Sequence, residues 1–178
     1  MSNGERRSPA YEAGRRLRKR LPRRELAELV LPADRDPLAI LDEQHASRLK
    51  DLVPVRVGRM LQSPFAFYRG TAAVMAADLR GAPTTDLEVV SCGDAHISNF
   101  GFFASPERAL VFDLNDFDEG GVAPWEWDVR RLTASVHIGG RDIGLSEDSC
   151  RAAAFAAADA YRETLREYCR LSTRERYY

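Results

Sequence analysis

Eight residues between positions 94 and 119 have the types and spacing to do chemistry together: Asp94, His96, Asn99, Asp113, Asn115, Asp116, Asp118 and Glu119. All but the histidine offer side-chain oxygens, the ligands that hard cations such as Mg²⁺ prefer. Asp94 and Asn99 stand five residues apart, and Asp113 follows an apolar run 14 residues after Asn99. Phosphoryl transfer asks for this kind of set: one carboxylate facing an acceptor hydroxyl, and an amide and a second carboxylate holding metal on the phosphate oxygens. Aspartate, asparagine and glycine are also ordinary turn residues. The weight therefore falls on the whole combination: strand, G-D-x-H-x-x-N, strand, D-x-N-D-F-D-E.

Two elements must position these groups. Leu87, Val89 and Val90 lead into Cys92-Gly93-Asp94-Ala95-His96-Ile97-Ser98-Asn99, and Ala109-Leu110-Val111-Phe112 leads into Asp113-Leu114-Asn115-Asp116-Phe117-Asp118-Glu119. Each half reads as a buried strand with a polar end, separated by a turn at Ser105-Pro106-Glu107. Paired as a hairpin, the two strands would bring both polar ends to one sheet edge. Upstream, Arg56, Arg59 and Arg69 accompany Ser63, Tyr68 and Gly70 in VRVGRMLQSPFAFYRG. Arginine grips phosphate bidentately, so these three read equally as an anion site or as a loop whose arginines pair with the acidic hairpin.

The surrounding chain supplies mostly helices. Leu26, Leu29, Val30 and Leu31 read as packed, with Pro32 ending their helix; residues 37–62 read as helix with breaks, interrupted at Pro54. Thr71 to Leu79 (TAAVMAADL) is a short helix with a small-residue face, broken by Gly81-Ala82-Pro83. Trp125-Glu126-Trp127-Asp128 opens a helix expected to run to Ser135 or His137 and to end at Gly139-Gly140. Arg130 and Arg131 are expected to pair with Asp128 or the acidic loop, and both tryptophans to be core anchors. Ser146 caps a long helix to about Cys169 whose Ala152–Ala160 face can pack closely.

Composition sets the bounds. The chain has 178 residues, net charge −1, 44% hydrophobic and 30% charged residues, a globular balance with no argument for nucleic acid. Residues 1–30 form a basic extension with Arg15, Arg16, Arg18, Lys19, Arg20, Arg23 and Arg24; without interleaved aromatics it reads as a solvated arm. No apolar run reaches the roughly 18 residues of a membrane span, and no signal-peptide core is visible. Cys92, Cys150 and Cys169 have no metal-ligand spacing, which fits a reduced, cytoplasmic protein.

CGDAHISNFG, FDLNDFDEG and PWEWDVRRLTASV, with SPFAFYRGTAAVMAADL upstream, resemble the uncharacterised bacterial family called domain of unknown function 2252, over about residues 30–178. That family more distantly resembles the aminoglycoside-phosphotransferase and protein-kinase-like superfamily, whose signature is His-Gly-Asp-x-His-x-x-Asn, a strand, Ile-Asp-Phe, then a Trp-Asp-Leu segment. The resemblance implies Asp94 as catalytic base, Asn99 and Asp113 as metal ligands, and Asp128 as the structural aspartate of the following helix. Cys92 stands where kinases carry the first histidine. The second acidic run is also longer than theirs, so Asp116 competes with Asp113, which is preferred because it directly follows the apolar strand.

The expectation is thus an α+β fold similar to the C-terminal lobe of a kinase-like protein, with a small antiparallel sheet covered by helices. Residues 31–178 would form an incomplete kinase-like region. No G-x-G-x-x-G occurs, Lys19 and Lys50 are the only lysines, and relatives of the resembled family carry such a segment downstream. The expected activity is Mg²⁺-dependent phosphotransfer from ATP to an unknown small-molecule or protein acceptor, inactive in this chain alone. Asp94 is catalytic, Arg56, Arg59, Arg69 and His96 bind the cofactor, and Asn99, Asp113 and Asp116 hold metal. The alternatives are a metal-dependent phosphoester hydrolase and a non-catalytic binding or regulatory fragment.

Overall fold

The computed structural model describes residues 8–177; the first seven residues of the basic extension, and Tyr178, lie outside them. The fold is mixed α+β. Helices α1 (Pro9–Arg20), α2 (Pro37–Ala46), α3 (Val53–Met60), α4 (Pro64–Arg69) and α5 (Ala72–Leu79) precede four short strands, and α6 (Glu126–Asp142), α7 (Glu147–Tyr168) and α8 (Thr173–Tyr177) follow them.

The helix starts follow local chemistry. Ser8, Asp36, Ser63 and Ser146 each accept a backbone N–H at a helix N-terminus, and proline occupies the first turn of α1, α2, α3 and α4. Proline is well placed there because its missing N–H would have had no partner. Pro54 accordingly starts a helix where the sequence suggested an interruption. For the same reason the Arg56–Arg69 stretch is helical, not a loop. Leu29, Val30 and Leu31 are not a packed helix: only Glu25–Ala27 forms a 3₁₀ turn, and these three residues are exposed.

Strand pairing departs from the expected hairpin. β1 (Glu88–Ser91) pairs antiparallel with β4 (Gly121–Pro124), from Glu88 opposite Pro124 to Ser91 opposite Gly121. β2 (Phe100–Ala104) pairs instead with β3 (Leu110–Leu114), placing Gly101 opposite Asp113. The molecule therefore has two separate two-stranded sheets. The apolar run before Asp113 pairs with Phe100–Ala104, which directly follows Asn99, because a short turn makes that the nearest partner.

α6 runs past Gly139-Gly140 to Asp142 and packs on α7. A β-carbon at Gly140 would stand 2.8 Å from Cys150 Sγ, so this glycine admits the neighbouring helix rather than ending its own. A small cluster of Leu41, Met60 and Val74 joins α2, α3 and α5. The accessible surface, 13100 Å², exceeds the roughly 8700 Å² typical of a compact 20 kDa chain. Large apolar side chains such as Phe102, Phe112 and Phe155 stay exposed. No helix among the described residues is long and apolar enough to cross a membrane.

Candidate active site

The loop from Cys92 to Asn99 leaves β1 and is tied to α6 at three points. Asp128 takes the Cys92 N–H on Oδ2 at 2.7 Å and the Gly93 N–H on Oδ1 at 3.0 Å. Arg131 Nε donates to Asp94 Oδ1 at 2.7 Å. Ser135 Oγ accepts the Ile97 N–H at 2.8 Å. Positions 128, 131 and 135 lie on one face of a helix, so a single stripe of α6 orders the whole loop. Gly93 is left-handed at φ 80°, and a β-carbon there would meet Glu119 O at 2.0 Å. Only glycine fits that crossing.

Arg131 is the buried hub. Its side chain is 2% exposed. It also donates to Tyr68 O at 2.7 Å, and its guanidinium lies 4.1 Å over the Tyr68 ring. The Tyr68 hydroxyl donates to Arg131 O, and burial pushes its pKa up. Of the two partners expected for Arg131, Asp128 or the acidic loop, it takes the loop, at Asp94. Arg130 turns the other way, donating to the carbonyls of Leu26 and Glu28 and so holding the N-terminal segment.

Asn99 links the two polar stretches. Its Nδ2 donates to Asp94 O at 3.0 Å and to Asp116 O at 3.2 Å. Cys92 Sγ also contacts Asp116 O, at 3.4 Å, and burial raises the thiol's pKa. His96 is buried with Nε2 3.7 Å from Asp94 Oδ2, and Nδ1 has no partner among the described residues. Burial pushes the imidazole pKa down, Asp94 opposes that shift, and Arg131 and Arg69 add to it.

A cleft of about 960 Å³ opens over this loop. Asp94, Asp116, Asp118 and Glu119 line it together with Arg48, Arg56, Arg59 and Arg69. Of the residues singled out in the sequence, Asp94, Asp116, Asp118, Glu119 and the three arginines Arg56, Arg59 and Arg69 thus share one space. Asn99 and His96 sit behind its wall. Asp113 does not line it: exposed on β3, it accepts the Leu114 N–H on Oδ1. Of the two even readings of Arg56, Arg59 and Arg69, pairing with the acidic run is not made among the described residues; only Arg48 approaches Glu119, at 3.9 Å. Arg131, Tyr68, Ser135 and Arg48 were not read as site residues. The 128-131-135 spacing was the visible signal for two of them.

No group of three or more His, Cys, Asp or Glu side chains among the described residues forms a ready metal cage. Asp116 and the free Oδ1 of Asn99 are the donors beside the loop. Mg²⁺ is commonly held by one or two carboxylates together with phosphate oxygens, so this set suits a metal that arrives with a phosphate ligand, not one bound by protein alone. A second cavity of about 890 Å³, lined by Leu29, Phe67, Val74 and Ile138 among others, is largely apolar and holds none of the predicted site residues.

Taken together, fold and site define a mixed α+β protein whose acidic loop and arginine-bearing helices line one cleft. Residues 48–178 match the model of a family described as an uncharacterized protein conserved in bacteria (DUF2252), and the chain belongs to that family. No curated protein and no solved structure matches it.

Proposed function

We propose that this cleft is the acceptor and metal side of a kinase-like phosphotransfer site that uses Mg²⁺ and ATP. The observation that carries the reading is the double bridge of Asn99, whose amide holds the carbonyls of Asp94 and Asp116 together. That bridge sets the candidate base and a candidate metal ligand on the same cleft. The Asp128 clamp on the Cys92 and Gly93 amides supports it, because a loop held partly by its backbone leaves one Asp94 oxygen, Oδ2, open to a ligand.

Asp94 is the acceptor-facing residue. Arg131 occupies Oδ1 and fixes the carboxylate, while Oδ2 has no hydrogen-bond partner among the described residues. An acceptor hydroxyl would donate to Oδ2, and a base within hydrogen-bond reach is the geometric requirement for proton removal. Asp116 and Asn99 would hold Mg²⁺, which when bound neutralises charge on the phosphate oxygens. Arginines left unpaired by the acidic run argue against a fragment whose charges merely neutralise each other.

Calorimetric titration of the chain with Mg²⁺-ATP tests the reading. Binding that weakens in Asp116→Asn and is kept in Asp94→Asn is the expected result. Failure of Mg²⁺-ATP to bind, or binding unchanged in Asp116→Asn, would overturn it.

A further inference from the structure

We propose that Arg56, Arg59 and Arg69, on α3 and α4, form a subsite for a phosphate dianion in the cleft that Asp94 also lines. The inference deepens the phosphotransfer reading of this cleft and rests on it for the ligand's identity. Arg56 carries it furthest. Its Nη2 donates to Gly70 O at 2.7 Å, which fixes the guanidinium, while Nη1 is buried with no hydrogen-bond partner among the described residues. A charged donor withdrawn from water and left unpaired is costly. An oxyanion in the cleft supplies the missing acceptor.

The neighbours agree. The side chains of Arg59 and Arg69 line the same cleft and make no hydrogen bond or ion pair among the described residues. Burial and then Arg48 push the Arg56 pKa down, while Glu119 and Asp94 oppose that shift, and the contact of Arg48 with Glu119 is long at 3.9 Å. Arg56, Arg59 and Arg69 thus line the cleft with no carboxylate in hydrogen-bond or ion-pair contact among the described residues, which leaves them for an anion. A phosphate, with its fork-matching oxygens, fits that geometry better than a single carboxylate. Helix α4 is capped at its start by Ser63 and ends on Gly70, so Arg69 and the Gly70 carbonyl that holds Arg56 are set by one short element.

The phosphate has two possible sources, the nucleotide or a phosphorylated acceptor, and one experiment separates them. The chain is titrated without metal with inorganic phosphate, pyrophosphate, ATP and ribose 5-phosphate, at two salt concentrations. Phosphate or pyrophosphate should bind, and Arg59→Ala and Arg69→Ala should each weaken binding about tenfold. These two side chains hold nothing else in the fold, so the variants should keep the parent's melting temperature. Arg56→Lys, which keeps charge but loses the fork, should weaken binding by a similar factor. ATP binding tighter than ribose 5-phosphate assigns the subsite to the donor; the reverse order assigns it to the acceptor. Absence of phosphate and pyrophosphate binding, or affinities unchanged in the arginine variants, would overturn the subsite. A parallel titration with Mg²⁺-ATP separates the two ideas: metal-free phosphate binding that depends on the arginines, beside Mg²⁺-ATP binding that is absent or unaffected by Asp116→Asn, leaves the subsite standing and removes the phosphotransfer reading.

Discussion

Asp128 and Cys92, 36 residues apart, are joined by a 2.7 Å hydrogen bond from the Cys92 backbone N–H to Asp128 Oδ2. The other carboxylate oxygen takes the next N–H along the chain, that of Gly93. Asp128→Ala leaves both amides without acceptors, at a cost on the order of 2 kcal/mol or more. Asp128→Asn should behave similarly, because its amide nitrogen would present a donor to a donor. Urea unfolding of both variants checks this, and hydrogen exchange should show the Cys92 and Gly93 amides losing protection first.

Among the described residues, Arg131 is the arginine in direct ion-pair contact with the mostly buried Asp94 carboxylate. Arg131→Met removes that counterion and should cost about 3–5 kcal/mol, because the charge of Asp94 remains uncompensated. Adding Asp94→Asn to that variant should recover much of the loss. A double-mutant cycle by chemical denaturation would show a coupling energy above about 1 kcal/mol if the pair acts as a unit. Additive losses would contradict the pairing.

Gly93 permits the loop to pass under Glu119. Gly93→Ala forces a left-handed alanine, at about 1–2 kcal/mol. It also drives a β-carbon into the Glu119 carbonyl, so the loop must shift. The variant should lose more stability than Gly121→Ala, where no atom lies within 4 Å of the added carbon. Comparison of the two melting temperatures tests the difference.

His96 gives the fold an acid-side sensitivity. Burial holds its folded pKa below the ordinary value, so the unfolded chain binds the proton more readily. Its contribution to stability is present above about pH 6.5 and is lost as pH falls through the lower folded value. Denaturant midpoints between pH 7.5 and 5 should decline more steeply for the parent chain than for His96→Gln. Parallel slopes would mean that His96 titrates alike in both states.

Asp113 and Asp116 part company in the structure, and their variants should as well. Asp113→Asn, on the exposed face of β3, should leave Mg²⁺-ATP binding within about twofold of the parent. Asp116→Asn, on the cleft, should weaken it about tenfold or more. Calorimetry on the pair decides which carboxylate serves the site.

The elements that local chemistry encodes were the legible ones. Ser146 with Glu147 and Asp148 announces the start of α7, and TAAVMAADL announces α5. Asp94 and Asp116 do line one cleft, but not through the hairpin that the sequence suggested, since the strands before them take different partners. What the residues could not reveal was partnership. Val89 and Val90 mark a strand without saying that it joins Ala123 and Val122 in place of the Phe112 run. Gly139-Gly140 reads as a helix end until Cys150 is known to press against it. The choice between Asp113 and Asp116 was not legible either: adjacency to an apolar strand does not say which way a side chain faces, because a pleated strand alternates faces, and Asp113 is exposed on β3 while Asp116 lines the cleft.

The β1–β4 pairing holds Ser91 opposite Gly121, and the Asn115 N–H donates to Asn99 O at the base of β2 and β3. From that base the β2–β3 hairpin, with its turn at Ser105–Arg108, is an excursion with clamped feet. Its far tip can lengthen or shorten without moving the groups near its base. The cleft chemistry and the reach of the excursion are therefore separable traits, free to diverge independently.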